Sequence, residues 1–478
     1  MLKKHLVSFG KDTLFYGLGS TLGQLTALIL VPFFSQVLMP EEYGVLAMLA
    51  LFSQFIQPVF SLGLDNALFR FFSLSEHPEE QKSVVSTAGF IRTSASGIGI
   101  LLLYFLFPIT NDWIFDEKLT ATMWNLSLAT MFAAGFSNIA EVIIRVQRKP
   151  LVMLAISLLN IIAGTLLSVW WVIVLKWGVT GALLSGLVTQ VITAILYSFY
   201  LRPFIYPGAV SRKTAKSLLQ YALPYIPHRI QAQLMQSFSL FIVNQQMGIV
   251  ATGLYAMAGK FVKPLNLLVD SVQRAWVPYK FHIHKTAAEP SEVFRRMIGN
   301  YWLFLLLVWG AGCAVFPFFF KQLVDARYFD GIPYFPFLAF VPLSQAFYYT
   351  STVGVELNKS QKILPVASFW GMLACVILAL ISGPVWSPYG PVLALIAGYL
   401  VIAGIVYQTS KKHFPVDFPI NGILTVFVLQ SSFLFYCYNY EIKWSILLLL
   451  TVLCSVLYIL VFYQINYAPR LSLPHPRR

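Results

Sequence analysis

Long apolar runs recur along the whole chain, and they constrain its fold more than any other feature. A helix that crosses a bilayer needs about 20 mostly apolar residues, and fourteen runs of this kind follow one another. They lie near residues 13–38, 45–72, 85–108, 120–144, 151–175, 180–201, 217–247, 253–279, 297–320, 332–357, 363–386, 390–410, 421–439 and 444–464. Helices satisfy their own backbone polar groups in lipid, so the runs predict an all-α integral membrane protein with about fourteen transmembrane helices.

The distribution of Lys and Arg predicts the orientation of these helices. When successive loops are assigned to alternate sides, one side carries 23 Lys and Arg residues and the other carries 5. Cytoplasmic loops are enriched in Lys and Arg, so we predict that both termini are cytoplasmic. The basic N-terminal segment precedes a long apolar run, which predicts an uncleaved first helix. Membrane topology thus explains the net charge of +14, and nucleic acid is not predicted as a partner.

The sequence favours transport over catalysis. Every predicted loop is short, which leaves no room for an extramembrane catalytic domain. Nucleotide-binding P-loop, zinc-protease and serine-hydrolase motifs are also missing from the sequence. We therefore predict a protein that is not an enzyme and that needs no cofactor or metal.

An internal repeat divides the chain into two halves. Gly44-Val-Leu-Ala-Met48 opens the second run, and Gly253-Leu-Tyr-Ala-Met257 opens the eighth. An offset of six spans makes the repeats parallel, as in secondary transporters that move one lobe against the other. We predict two pseudo-symmetric six-helix lobes, residues 1–210 and 211–415. Residues 416–478 are predicted to add a helix pair and a cytoplasmic tail.

Charged and amide side chains interrupt several runs. A charge at the bilayer centre costs about 2.5–3.5 kcal/mol, so these groups are predicted to face a water-filled cavity between the lobes. The candidate substrate-binding residues are Arg229, Lys260, Lys263, Arg274, Arg92, Gln233 and Gln236. The candidate ion-coupling residues are Asp65, Asp270, Glu141 and Glu356.

The cationic group in the seventh and eighth runs favours an anionic ligand. Arg229, Lys260 and Lys263 have one nearby acid, Asp270, which leaves an unbalanced positive charge. An alternative remains for part of this group, because Asp270 and Arg274 are four residues apart and can neutralise each other on one helix face.

Structural interpretations also remain for the candidate coupling residues. Glu141 ends the fourth run and can pair with Arg145, and Glu356 ends the tenth run and can pair with Lys359. Lys280 lies near a predicted cytoplasmic helix end, and we interpret it as an interfacial anchor.

Several segments resemble one known family. Residues 12–23, Met39-Pro-Glu-Glu-Tyr-Gly44, Leu223-Pro-Tyr-Ile-Pro227, Gly253-Leu-Tyr-Ala-Met257 and Lys260-Phe261 are similar to the corresponding segments of Wzx-type polysaccharide flippases. These flippases belong to the multidrug/oligosaccharidyl-lipid/polysaccharide exporter superfamily, which also contains the MATE transporters. The resemblance extends over essentially the whole chain and implies a MATE-like fold.

The resemblance implies a function in surface polysaccharide biosynthesis, such as that of lipopolysaccharide O-antigen. The implied substrate is an undecaprenyl-pyrophosphate-linked oligosaccharide, moved from the inner to the outer leaflet of the bacterial inner membrane by alternating access. The implied partners are this lipid-linked oligosaccharide and membrane lipid, with a polysaccharide polymerase and chain-length proteins as further candidates.

Two other functions are alternatives to this one. A MATE-type drug/cation antiporter should have an acidic cavity, whereas the interior charges here are mostly positive. A membrane glycosyltransferase or O-unit polymerase generally needs a sizeable outer loop, and each predicted outer loop is short.

Overall fold

The computed structural model describes residues 21–147, 149–358, 360, 362–386, 389–439 and 444–467, and these residues form helices without a strand. The helices are α1 (Val31–Val37), α2 (Pro40–Ser61), α3 (Leu64–Leu74), α4 (Pro78–Phe105), α5 (Phe107–Phe115), α6 (Ala121–Val146), α7 (Pro150–Ser168), α8 (Gly178–Leu201), α9 (Arg212–Ala222), α10 (Tyr225–Lys260), α11 (Lys263–Thr286), α12 (Pro290–Leu323), α13 (Phe335–Ser351), α14 (Val353–Leu357), α15 (Ile363–Trp386), α16 (Gly390–His413), α17 (Ile420–Asn439) and α18 (Trp444–Tyr467). A π-helical turn, Val169–Val174, extends α7, and 3₁₀ turns cover Pro207–Ala209 and Ala326–Tyr334.

The helices agree with the predicted all-α fold, but several predicted spans are divided. In the part of the chain that the structure describes, nine helices are long and apolar enough to cross a membrane singly. The predicted span 45–72 is divided between α2 and α3, 253–279 between α10 and α11, and 332–357 between α13 and α14. The number fourteen therefore stays a prediction.

The break between α2 and α3 has a local cause. Leu62 and Gly63 adopt left-handed backbone angles, with φ of 47° and 68°. Glycine adopts this conformation readily, whereas leucine does so rarely. The Ser61 hydroxyl donates to the Pro58 carbonyl at 3.0 Å and accepts from the Gly63 amide at 3.4 Å, which satisfies groups at the helix end. The break places Asp65 in the first turn of α3.

The two glycines of the internal repeat allow α2 and α10 to pack with their backbones in close approach. A Cβ atom on Gly44 would lie 2.0 Å from the Ile249 carbonyl oxygen, and one on Gly253 would lie 1.8 Å from the Pro40 carbonyl oxygen. Gly248 supports this arrangement, because its φ of 77° interrupts α10 just before the contact. The repeated motifs that identify the two halves in sequence therefore form a helix contact within one compact unit.

Replacing Gly253 by alanine is expected to destabilise the protein. The added methyl group would overlap the Pro40 backbone, and overpacking of this kind costs about 1–3 kcal/mol. The matched control is Gly259→Ala in the same helix, because a Cβ atom there has no neighbour within 4 Å. Denaturant unfolding in detergent should show a loss for Gly253→Ala and no loss for the control. Equal free energies of unfolding for the two variants would contradict the observed packing.

The chain forms two compact units. Of the described residues, the first unit contains those in 21–261, 324–331 and 380–391, and the second contains those in 262–323, 332–379 and 392–467. In the first unit, α3, α4, α6, α8 and α9 enclose a core that includes Leu68, Val85 and Ile143. In the second unit, α12 and α13 meet through the stacked rings of Phe316 and Phe335, whose centroids are 3.7 Å apart. The lobe boundaries at residues 210 and 415 stay a prediction.

Residues 324–331 join the first unit by binding the end of α1. The Arg327 guanidinium donates to the carbonyl oxygens of Ser35 and Gln36, each at 3.0 Å. The Tyr328 hydroxyl donates to the Leu38 carbonyl at 3.0 Å. Hydrogen bonds from Arg327 also hold the pKa of the Asp325 carboxyl below its usual range. These contacts satisfy carbonyl groups that the last turn of a helix leaves without partners.

Candidate substrate and coupling site

An ion pair within the first unit joins two of the predicted site residues. Arg92 of α4 donates from Nη1 to Oδ1 of Asp65 at 2.9 Å, and the Arg92 side chain is only 3% exposed. Gly135 of α6 lies beside them, since a Cβ atom there would be 3.8 Å from the Arg92 Nε atom. Asp65 thus pairs with the buried Arg92, which lowers the cost of burying both groups.

Glu141 lies on α6 and interacts electrostatically with this ion pair. Its carboxylate is also 3.9 Å from the Arg145 guanidinium, one helical turn away. The pairing with Arg145 that the sequence left open is therefore present. Glu141, Asp65 and Arg92 together form an interacting group of two acids and one base in the first unit.

Amide side chains connect α2 and α10 in the same unit. The Gln233 Nε2 atom donates to Gln54 Oε1 and to the Ser237 hydroxyl, each at 2.8 Å. Gln57 donates to the Met131 carbonyl oxygen of α6 at 3.3 Å. These contacts place hydroxyl and amide groups of α2 and α10 side by side, and such groups both donate and accept hydrogen bonds.

The remaining cationic candidates are distributed over both units. Lys260 is half-buried in the last turn of α10 and belongs to the first unit. Lys263, the first residue of α11, is exposed and belongs to the second unit, as does the exposed Arg274. The side chains of Arg229 and Gln236 lie outside the described residues.

Asp270 lies half-buried on α11 within the second unit. It interacts electrostatically with Tyr301 and Tyr349. Among the described side chains, no ion pair joins Asp270 to Arg274. The simple neutralisation that their spacing allows is therefore not the observed arrangement.

A second buried ion pair lies in the second unit. The Lys280 ammonium contacts the Glu356 carboxylate, and the Lys280 side chain is completely buried while that of Glu356 is 17% exposed. The interpretation of Lys280 as an interfacial anchor is therefore wrong, because its charge is directed into the protein. Lys359, the alternative partner of Glu356, lies outside the described residues.

Comparison with known proteins identifies the family. Residues 33–304, more than half of the chain, match the family described as polysaccharide biosynthesis protein. The chain belongs to this family. The resemblance to polysaccharide flippases that the sequence motifs indicate is thereby confirmed for this member of the polysaccharide biosynthesis family.

A curated relative and several solved structures resemble this family member. Lsg locus putative protein 1 of Haemophilus influenzae is 22% identical over 280 residues, which are 58% of this chain and 66% of the relative. The lipid II flippase MurJ in an inward closed conformation matches with a TM-score of 0.69 and 16% identity, over 95% of this chain and 99% of MurJ. The Vibrio cholerae MATE transporter VcmN in its bent form matches with a TM-score of 0.54 and 12% identity, over 86% of this chain and 97% of VcmN.

These structural matches confirm the predicted MATE-like fold of the family member. The fold and the apolar helices together identify it as a multi-pass membrane protein. The same fold is found in the flippase and the transporter named above. The sequence pattern identifies Asp65 and Arg92 as candidate site residues, and the structure adds that they pair with each other.

Proposed function

We propose that the protein is a flippase for an undecaprenyl-pyrophosphate-linked oligosaccharide and moves it from the inner to the outer leaflet of the bacterial inner membrane. One observation carries the proposal: a member of the polysaccharide biosynthesis family has the fold of a lipid II flippase over 95% of its length. Surface glycans such as O-antigen are the end products that fit this assignment. The lipid-linked oligosaccharide and membrane lipid are the proposed partners, with a polymerase and chain-length proteins as further ones.

The cationic residues support recognition of the pyrophosphate group. Lys260, Lys263 and Arg274 bring three positive charges from the end of α10 and from α11. Charge-assisted hydrogen bonds to phosphate oxygens are about twice as strong as neutral ones. Arg229 is proposed to complete this group, and its planar guanidinium suits a bidentate contact with phosphate. Arg92 contributes less, because Asp65 already binds it.

The amide and hydroxyl groups support recognition of the sugars. Gln233, bound to Gln54 and Ser237, offers both donor and acceptor atoms near the α2–α10 contact. Gln236 is proposed to extend this polar surface. Sugar hydroxyls both donate and accept hydrogen bonds, so an amide-rich surface can bind them without a net charge.

We propose alternating access driven by an ion gradient, with coupling at the acidic groups. Asp65 and Glu141 interact with Arg92 in the first unit, and Glu356 contacts Lys280 in the second. Asp270 is the further candidate. An acid that exchanges between a basic partner and a proton or cation can couple ion binding to a conformational change.

A drug or cation antiporter is less well supported by the same side chains. Lys260, Lys263 and Arg274 would repel a cationic substrate, and the acids Asp65 and Glu356 are each bound to a base.

Transport of a labelled lipid-linked oligosaccharide tests the proposed function. The purified full-length protein is reconstituted into vesicles, and the label reaching the far leaflet is measured by an impermeant enzyme or quencher. We expect transbilayer movement well above that of protein-free vesicles. A labelled cationic drug in parallel vesicles should not accumulate. Transport of the drug together with no movement of the oligosaccharide would reject the flippase and favour the antiporter.

A further inference from the structure

A polar cleft lies within the second unit at one end of α12, α16, α17 and α18. Its volume is about 1180 Å³, above the usual range of about 300–1,000 Å³ for small-molecule sites. It is lined by the first turns of α12, the start of α17 with the loop before it, and the last turns of α16 and α18. The positive-charge asymmetry of the loops predicts that these helix ends lie on the cytoplasmic side.

The charged side chains of this cleft carry a small positive excess. Arg295, Arg296 and Lys411 line it together with the acids Glu292 and Asp417, which leaves one net positive charge. Glu292 accepts from Arg296 at 2.8 Å and from Arg295 at 3.3 Å, and Lys411 donates to Asp417 at 2.8 Å. These pairs hold the cationic groups at the cleft while leaving them partly open to water, with Arg296 66% exposed.

Neutral polar groups add hydrogen-bonding capacity beside the cations. The Tyr463 hydroxyl donates to Asn300 Oδ1 at 3.1 Å, and Asn421 and Tyr407 also line the cleft. Hydroxyl and amide groups can bind phosphate and glycerol oxygens. The cleft therefore combines the two kinds of groups that a phosphodiester headgroup needs.

Apolar side chains continue from the cleft along the helices. Ile420 and Ile465 line the cleft and are exposed. Farther along α17, Leu424 and Val428 are exposed, as is Leu460 on α18. A polar cleft next to exposed apolar helix surface matches a molecule with a charged head and hydrocarbon chains.

We propose that this cleft binds an anionic glycerophospholipid of the cytoplasmic leaflet. Its phosphate would contact Arg295, Arg296 and Lys411, and its acyl chains would lie along α17 and α18. Basic pockets between transmembrane helices on the cytoplasmic side are typical sites for such headgroups. The proposal is independent of the transported substrate and adds a lipid site that the predicted extra helix pair forms together with α12 and α16.

Binding of defined lipids to the detergent-solubilised full-length protein tests the site. Short-chain phosphatidylglycerol and phosphatidylcholine with the same chains are titrated, and the midpoint of thermal unfolding and the bound lipid by native mass spectrometry are recorded. We expect phosphatidylglycerol to bind and raise the midpoint and phosphatidylcholine to do neither. Arg295→Gln/Arg296→Gln should bind phosphatidylglycerol about 30-fold more weakly. Equal effects of both lipids on the wild-type protein would overturn the proposal.

Two further variants separate a binding site from general surface charge. Arg212→Gln/Lys213→Gln removes two adjacent exposed cations of α9 and should bind as the wild type does. Asp417→Asn removes an acid that is 75% exposed and should bind phosphatidylglycerol more tightly, whereas a purely structural role predicts no gain. The pyrophosphate of the isoprenoid carrier lipid could also occupy the cleft. Farnesyl pyrophosphate, a short isoprenoid pyrophosphate, is therefore added as a competitor. If it displaces phosphatidylglycerol from the wild type at equal concentration and itself binds the Arg295/Arg296 variant more weakly, the cleft is a carrier-lipid site and the phospholipid assignment is wrong.

Discussion

Vesicles that contain Lys260→Ala/Lys263→Ala are expected to move the labelled lipid-linked oligosaccharide at a rate close to that of protein-free vesicles. Lys260 ends α10 and Lys263 begins α11, and Phe261 and Val262 between them keep right-handed helical backbone angles. Each charge-assisted hydrogen bond to the pyrophosphate contributes about 1.5–3 kcal/mol. Loss of two such bonds corresponds to a decrease of roughly 10²–10⁴-fold in productive binding.

The control for this variant has the same residue types and the same spacing. Lys213→Ala/Lys216→Ala removes two exposed lysines from α9, three residues apart on a helix with a strongly polar face. It should flip the oligosaccharide at the wild-type rate. Both double variants should reach the wild-type protein level in the membrane. If the Lys260/Lys263 variant also flips at the wild-type rate, the cationic-site mechanism is wrong, although family membership would be unaffected.

Sequence patterns were sufficient to predict the fold class for a simple physical reason. A bilayer requires long apolar runs and internally satisfied backbones, and both requirements are visible in one sequence. The repeat was visible for a related reason. Gly44 and Gly253 must lack a side chain where α2 and α10 approach, so glycine occupies the same place in both motifs.

Side-chain pairing across helices could not be predicted in the same way. Periodicity places Asp65 and Arg92 within predicted spans, but their partner depends on the rotation of α3 after the left-handed break at Leu62 and Gly63. The interpretation of Lys280 as an interfacial anchor is wrong because it follows the usual behaviour of a lysine near a helix end, which extends to the interface. The partner that holds it inside, Glu356, is distant in sequence.

The cleft in the second unit was beyond sequence reasoning for another reason. Its lining comes from four helix ends, and more than a hundred residues separate the α12 end from the other three. Glu292 and Arg295 alone look like an ordinary solvated ion pair. Only the packing of α17 and α18 against α12 brings these groups to one place. The extra helix pair thus has a structural consequence that its apolar composition does not reveal.

Breaking the Lys280–Glu356 ion pair is expected to destabilise the protein strongly. Removing one partner of a buried pair costs about 3–5 kcal/mol, because an uncompensated charge is left behind. The two single variants should differ. Glu356→Gln leaves an ammonium in a completely buried site, whereas Lys280→Met leaves a carboxylate that is 17% exposed and can bind a proton. We therefore expect the larger loss in the free energy of unfolding for Glu356→Gln, measured by denaturant unfolding in one detergent.

The double variant Lys280→Met/Glu356→Gln separates structure from coupling. Replacing both charges removes the unpaired ion, so most of the lost stability should return. Glu41→Gln is the control, because it breaks an exposed pair with Lys118 and should cost about 0–1 kcal/mol. If Glu356 couples transport to an ion gradient, the stable double variant should flip the oligosaccharide at a rate that no longer responds to the gradient. A double variant that is stable and still responds fully would restrict Glu356 to a structural role and leave coupling to Asp65, Glu141 or Asp270.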